Sequence, residues 1–258
     1  MSRRFLDLSV ALETGIASDP AIMLPQITYF THAMTAPQVA SFFEGLKSEE
    51  LPGGEGWAVE QLSVSTHNGT HLDAPYHHHS TMSHGQRALT IDEVPLEWCF
   101  NPGVKLDFRH LPDGHVASAA EVEAELKRIG HDLQPLDIVL VNTAAGERYG
   151  EPDYIDRGCG MGREATLYLL ERGVRVTGTD AWSWDAPFSL TAKKWAETHD
   201  PSIIWEGHRA SMDIGYSHLE KLTNLDKLPA NGFTVSCFPY KIKGASAGFT
   251  RAVAIFDE

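Results

Sequence analysis

The chain has 258 residues, 42% of them apolar, and a formal net charge of -14. That length buries a sizeable core, so one domain is expected, while 35 acidic against 21 basic residues argue against a nucleic-acid partner, whose phosphates need a Lys/Arg surface. No apolar run reaches the roughly eighteen residues of a membrane span, and the start MSRRFLDLSV lacks the apolar stretch of a secretory signal, which points to a cytoplasmic location.

In chain order, Phe5 to Leu12 and Ala58 to Thr66 read as strands. The stretch THNGTHLDAPYHHHS follows, with five histidines and one aspartate between Thr66 and Ser80. If Thr66 to Asp73 is extended, His67, Gly69, His71 and Asp73 fall on one face, and Gly69 leaves room against the backbone for an ion or substrate. Pro75 then turns the chain and can bring His77 back over the same spot. Three or four neutral N and O donors converging on one point suit Zn or Mn, with water in an open position. Asn68-Gly69 is also a hairpin signal that would place His67 and His71 on facing strands. His78, His79 and His84 read as surface residues. Asn68-Gly69-Thr70 is formally a glycosylation acceptor, discounted for a cytoplasmic chain.

Further along, SAAEVEAELKRIG is a helix with Ser118 as N-cap, Glu121 as capping-box partner, an apolar stripe of Val122, Leu126 and Ile129, and Gly130 as stop. The strands Leu136 to Thr143 and Gly173 to Asp180 flank a second helix from Arg163 to Arg172. In a parallel arrangement, the carboxyl ends near Asn142 and Asp180 face a cleft where ligands tend to sit. Trp57, Trp182, Trp184 and Phe188 offer flat walls for an aromatic substrate, or plain core. Asp180 and Asp185 are candidates to orient ligating histidines, or caps in a turn. SHLEKLTNL reads as a helix with Glu220 exposed beside Lys221. Phe233 to Pro239 and Thr250 to Phe256 complete the strands of a mixed α/β protein without internal repeat or linker. Cys99, Cys159 and Cys237 are odd in number and never in a C-x-x-C pair, which argues for reduced, packing cysteines.

The run H-x-G-T-H-x-D-x-P-x-H, here His67 to His77, resembles the signature of the cyclase family of metal-dependent hydrolases. That family includes kynurenine formamidase, isatin hydrolase and trans-dienelactone hydrolase. DLSVALETG, GTDAWSWDAP, GHRASMDIGYSHLEKLTNLDKLP and KGASAGFTRAVAI resemble family blocks in the same order. The resemblance implies a mixed β-sheet with flanking helices, of the swivelling β/α/β type. It implies His67, His71 and Asp73 as ligands of a divalent metal, Mn or Zn, and His77 as general acid/base. In the kynurenine formamidase branch a later histidine and glutamate complete a second metal site, here His208 and Glu220, with Asp73 and Glu220 able to bridge two ions. A glutamine stands in place of Glu220 in the isatin hydrolases, where one manganese suffices; the glutamate here favours two ions. The implied reaction opens the C–N bond of a small cyclic amide or aryl formamide, or alternatively a lactone, in a homodimer or homotetramer.

Other chemistries fit less well. GASAG matches the nucleophile elbow of serine hydrolases, but a strand-like segment follows it and no histidine occurs after His218. GCGMG is too short for a dinucleotide fingerprint. His67, His71 and Asp73 could also build the two-His, one-carboxylate iron site of an oxygenase, or a non-catalytic metal site.

Overall fold

The computed structural model describes residues 2–257. Nine strands form one mixed sheet: Arg3–Asp7 (β1), His71–Asp73 (β2), Phe100–Asp107 (β3), Ile138–Asn142 (β4), Val176–Thr179 (β5), Ser217–Glu220 (β6), Phe233–Ser236 (β7), Ala247–Phe249 (β8) and Val253–Asp257 (β9). Across the sheet the order is β1-β9-β7-β3-β4-β5-β6-β2-β8. The four central strands β3 to β6 run parallel, and antiparallel strands close the sheet on both sides. The helices are His32–Ser41 (α1), Pro75–His78 (α2), Ala119–Ile129 (α3), Arg163–Glu171 (α4), Phe188–Thr198 (α5) and Glu206–Arg209 (α6). None is long and apolar enough to cross a membrane.

The central strands are apolar because both faces of the sheet are covered. In β4, Ile138 and Leu140 join Leu72 and Leu219 in one core, while Val139 and Val141 face Val122 and Leu126 of α3 and Leu169 of α4 in the other. Each such side chain contributes about 1.5–3 kcal/mol on burial. The strand, helix, strand unit β4, α4, β5 forms with bounds trimmed by a few residues, and its two strands pair in parallel. In α3, Ser118 accepts from the Glu121 amide, and Gly130 ends the helix at φ 65°.

Three local expectations are corrected. SHLEKLTNL begins as strand β6, not helix, because Leu219 enters the core opposite Leu72 and both strand edges are paired. The strand ends at Lys221, whose φ of 57° makes a left-handed turn. Thr66 to Asp73 is extended only at β2; the Asn68 amide donates to the Ser65 carbonyl at 3.0 Å, and Gly69 at φ 59° makes a turn instead. Ala58 to Thr66 shortens to Val59–Ser63, which pairs with Gln26–Phe30 in a separate two-stranded sheet. Strand β3 and helix α1 carry no signal that we read in the sequence. Cys99, Cys159 and Cys237 are free and buried, consistent with packing roles.

Candidate metal centre

Antiparallel pairing of β2 with β6 sets His218 opposite Asp73, Leu219 opposite Leu72 and Glu220 opposite His71. Because side chains alternate along a strand, the two leucines enter the core while His71, Asp73, His218 and Glu220 share the other face. All four are buried. The turn before β2 adds His67, α2 adds His77, and α6 adds His208. The atoms converge: His67 Nδ1 lies 2.9 Å and His71 Nε2 3.3 Å from Asp73 Oδ1, and His77 Nε2 3.8 Å and His218 Nε2 3.1 Å from Asp73 Oδ2. Around Glu220, His218 Nε2 lies 3.2 Å and His208 Nε2 3.8 Å from Oε1, and His71 Nε2 3.6 Å from Oε2.

This donor set fits a divalent cation. Bonds of about 2.1 Å at tetrahedral angles put neighbouring ligand atoms about 3.4 Å apart, which is the middle of the observed range. His71 Nε2, both Asp73 oxygens and His208 Nε2 are buried without a hydrogen-bond partner, a costly state that a bound cation removes. The opposite ring nitrogens are anchored, as ligating histidines require: His71 Nδ1 to the Gly69 carbonyl at 2.9 Å, His67 Nε2 to Ser246 Oγ at 3.0 Å, and His208 Nδ1 to Asp185. Asp185 also accepts from the Gly207 and His208 amides and so fixes the start of α6.

The cluster organises its own charges. Burial alone would raise the carboxyls of Asp73 and Glu220, but the surrounding imidazoles outweigh it, holding Asp73 well below the carboxylate range and Glu220 at about 2. Burial lowers His77 to about 4, only partly offset by Asp73. His218 is raised to about 9 against its burial by the carboxylates of Asp73 and Glu220 beside it. His78 is pushed well down by burial and by His218 and His208.

Beside the cluster lies a cavity of about 150 Å³, walled by Trp182, Phe188, Trp205, Met23 and His77, the size at which an engineered cavity takes up one benzene ring. Asp19 and Lys221 form a buried ion pair in its wall, and Asp19 also accepts from Trp182 Nε1 at 3.1 Å. Trp205 adopts φ 59°, unusual for a bulky side chain, and stacks on His208 at 4.5 Å.

The structure therefore brings together His67, His71, Asp73, His77, His208 and Glu220, with Trp182 and Phe188 in the cavity wall. Neither Trp57, which packs on Phe42 at 6.0 Å, nor Trp184, a core side chain whose Nε1 donates to Thr166 and whose amide donates to Glu220, lines that cavity. His78 is buried rather than a surface residue, because α2 turns it inward to stack on His218 at 4.8 Å. His84 is exposed, and His79 is half-buried with Nδ1 against Thr81. Asp180 caps the carboxyl ends of β4 and β5 away from the cluster, accepting from Asn142 and Thr143. Sequence reasoning missed His218 and Trp205. The signal for His218 was H-x-E in an alternating strand, hidden by the helical reading.

Residues 6–186 match a family model described as putative cyclase, a stretch that contains His67 to His77 and ends before His208. Over 193 residues the chain is 31% identical to the kynurenine formamidase of Salinibacter ruber, across 74% of this chain and 77% of that one. The kynurenine formamidase of Geobacillus thermodenitrificans is 29% identical over 199 residues, across 75% and 78%. Isatin hydrolase A from Ralstonia solanacearum is similar in fold, at a TM-score of 0.75 and 20% identity across 99% of this chain and 92% of that one. Isatin hydrolase A from Labrenzia aggregata gives 0.74 and 22%, across 99% and 94%.

Proposed function

The chain belongs to the cyclase family, and from that membership and its buried His/carboxylate cluster we propose that it is a metal-dependent hydrolase, opening the C–N bond of a small cyclic amide or aryl formamide. The observation that carries this reading is the set of unpartnered, buried donor atoms on His71, Asp73 and His208 beside a cavity walled by aromatic rings. The kynurenine formamidase relatives support the bond type. Mn or Zn suits the mixed N and O donors.

His67, His71 and Asp73 would hold the cation, with His208 and Glu220 available for a second. A bound divalent ion supplies two things: it lowers the pKa of water from about 15.7 towards 7, and it polarises the scissile carbonyl. The protein does the rest. Trp182, Phe188 and Trp205 hold the planar substrate and exclude water from the far side of the cavity. His77 lines the same cavity within 3.8 Å of Asp73, where it can take the proton of the attacking water and return it to the nitrogen that leaves as the new C–O bond forms. The Gly69 carbonyl, Ser246 and Asp185 keep the ligand rings from turning.

Turnover of N-formylkynurenine, isatin and a dienelactone should be compared with Mn and with Zn, in the absence of oxygen. Hydrolysis of an amide is expected. A strict need for oxygen or iron would sink the hydrolase reading, and a lactone turned over faster than either amide would move the substrate to the ester class. In the active enzyme, His77→Ala should retain metal and lose at least about 10²-fold in kcat, whereas Asp73→Ala should lose the metal itself. A His77→Ala enzyme with near-normal kcat would remove that residue from its role.

A further inference from the structure

We propose that His218, which neither the signature run nor the family resemblance assigns, is a metal ligand. It closes a second cation site of four protein ligands, with Asp73, His208 and Glu220. The proposal rests on reading the cluster as a metal centre, but not on the reaction. The candidate ligand atoms fall into two sets, each within 4.8 Å: Asp73, His208, His218 and Glu220 in one, His67, Asp73 and His77 in the other. Two ligands of one ion with bonds of about 2.1 Å can be at most about 4.2 Å apart, so sets that share only Asp73 read as two foci.

Within the first set, His218 Nε2 stands 3.1 Å from Asp73 Oδ2 and 3.2 Å from Glu220 Oε1, and His208 Nε2 3.8 Å from the same Oε1. The His208 and His218 rings meet edge to face at 4.4 Å. His208 Nε2 has no partner, and Asp185 on the opposite nitrogen leaves its lone pair facing the set. His218 has no such anchor, its Nδ1 being buried without a partner, and its ring is held by stacking on His78 at 4.8 Å and 5° and on Trp184 at 6.0 Å and 19°.

The two foci differ in kind. Two imidazoles and two carboxylates fill a tetrahedral sphere, which is how structural sites hold Zn; catalytic sites keep a position open. Four buried ligands close the Asp73, His208, His218, Glu220 focus. At the other focus, His67 Nδ1 and His71 Nε2 meet the same Asp73 oxygen at 2.9 and 3.3 Å, which makes three protein ligands, and His67 and His77 open it to the cavity. One ion would thus be locked in, and the other would exchange with solvent.

The test counts zinc without substrate, by metal analysis after equilibrium dialysis and by following release to a chelator. The wild-type chain should bind two ions, released in two phases at least tenfold apart in rate. His218→Ala and His218→Asn should bind one and lose the slow phase. Wild-type binding of a single ion, a single release phase, or two ions retained in a folded His218 variant would each overturn the proposal. Should neither variant fold, anomalous diffraction from zinc-loaded wild-type crystals decides: a peak within bonding distance of His218 Nε2 supports it, and no peak there overturns it. A chain that binds two ions in this way but hydrolyses no amide would sink the proposed reaction and leave His218 in place. Full amide hydrolysis with one ion would do the reverse.

Discussion

Asp185 shows how much of the centre depends on residues that touch no substrate. Its carboxylate accepts from His208 Nδ1 and from two backbone amides of α6, so it fixes both the ring and the helix that carries it. Asp185→Asn keeps the shape but offers one acceptor oxygen where the native side chain uses two. Metal affinity should fall about 10- to 100-fold, measured by competitive chelator titration with the melting temperature as control. Unchanged affinity would make Asp185 a turn residue only. His67, His71, Asp73 and His77 were legible as a group because strand alternation and one proline turn keep near neighbours together. His218 was not, because Asp73 lies opposite it across a strand pair, and the pairing is invisible in SHLEKL alone.

Elements, not loops, hold most of the ligands. The facing strands β2 and β6 present four of them, and a one-residue slip in their register would send these side chains to the core face and the leucines to the site. Leu72 and Leu219 in the core fix that register. A second junction joins β4 to β5: Asp180 accepts from Asn142 Nδ2 at 2.6 Å and from the Thr143 amide and hydroxyl at 2.9 and 2.7 Å. Burial pushes its carboxyl up to about 7, against the hydrogen bonds that pull it down. An acid whose folded pKa is raised binds more protons folded than unfolded, so its contribution to stability falls as pH rises from about 4 to 7 and is level above that. Asp180→Asn should lack this fall. Denaturant melts of both proteins between pH 4.5 and 8 check it, since protonation of the metal ligands cancels in the difference; parallel curves would show that the group does not titrate in that window.

At the scale of the whole molecule, Gln26–Phe30 and Val59–Ser63 form a small sheet of their own beside the nine-stranded one. The strand Val59–Ser63 is exposed on both faces, and its partner Gln26–Phe30 is mostly exposed. Phe42 at 64% and Trp57 at 46% exposure pack against each other, their rings tilted by 38°, with Tyr29, Phe43 and Leu62 also exposed. A two-stranded sheet with apolar side chains on both faces is marginal in water. We propose a second copy of the chain as the cover, the homo-oligomer that the family resemblance implies. Light scattering should give a dimer or larger at micromolar concentration, and the Phe42→Ser, Trp57→Ser double variant should be mostly monomer. A wild-type monomer under those conditions would sink the expectation.

By itself the sequence determined the mixed α/β class, the strand, helix, strand unit around α4, the caps of α3 and the donors between His67 and His77. Each of these is local: periodicity, capping and short spacing act over a few residues and leave their mark in the string. The tertiary structure decided what depends on distant partners. Glu220, which spacing alone read as an exposed helical residue and the resemblance as a ligand, is buried on a strand because β5 and β2 flank it. Trp184 went to the core and Trp205 to the cavity because packing, not composition, chooses which aromatic ring faces the metal centre. His218 joined the site because antiparallel register set it opposite Asp73, 145 positions away in the chain by the difference of their numbers.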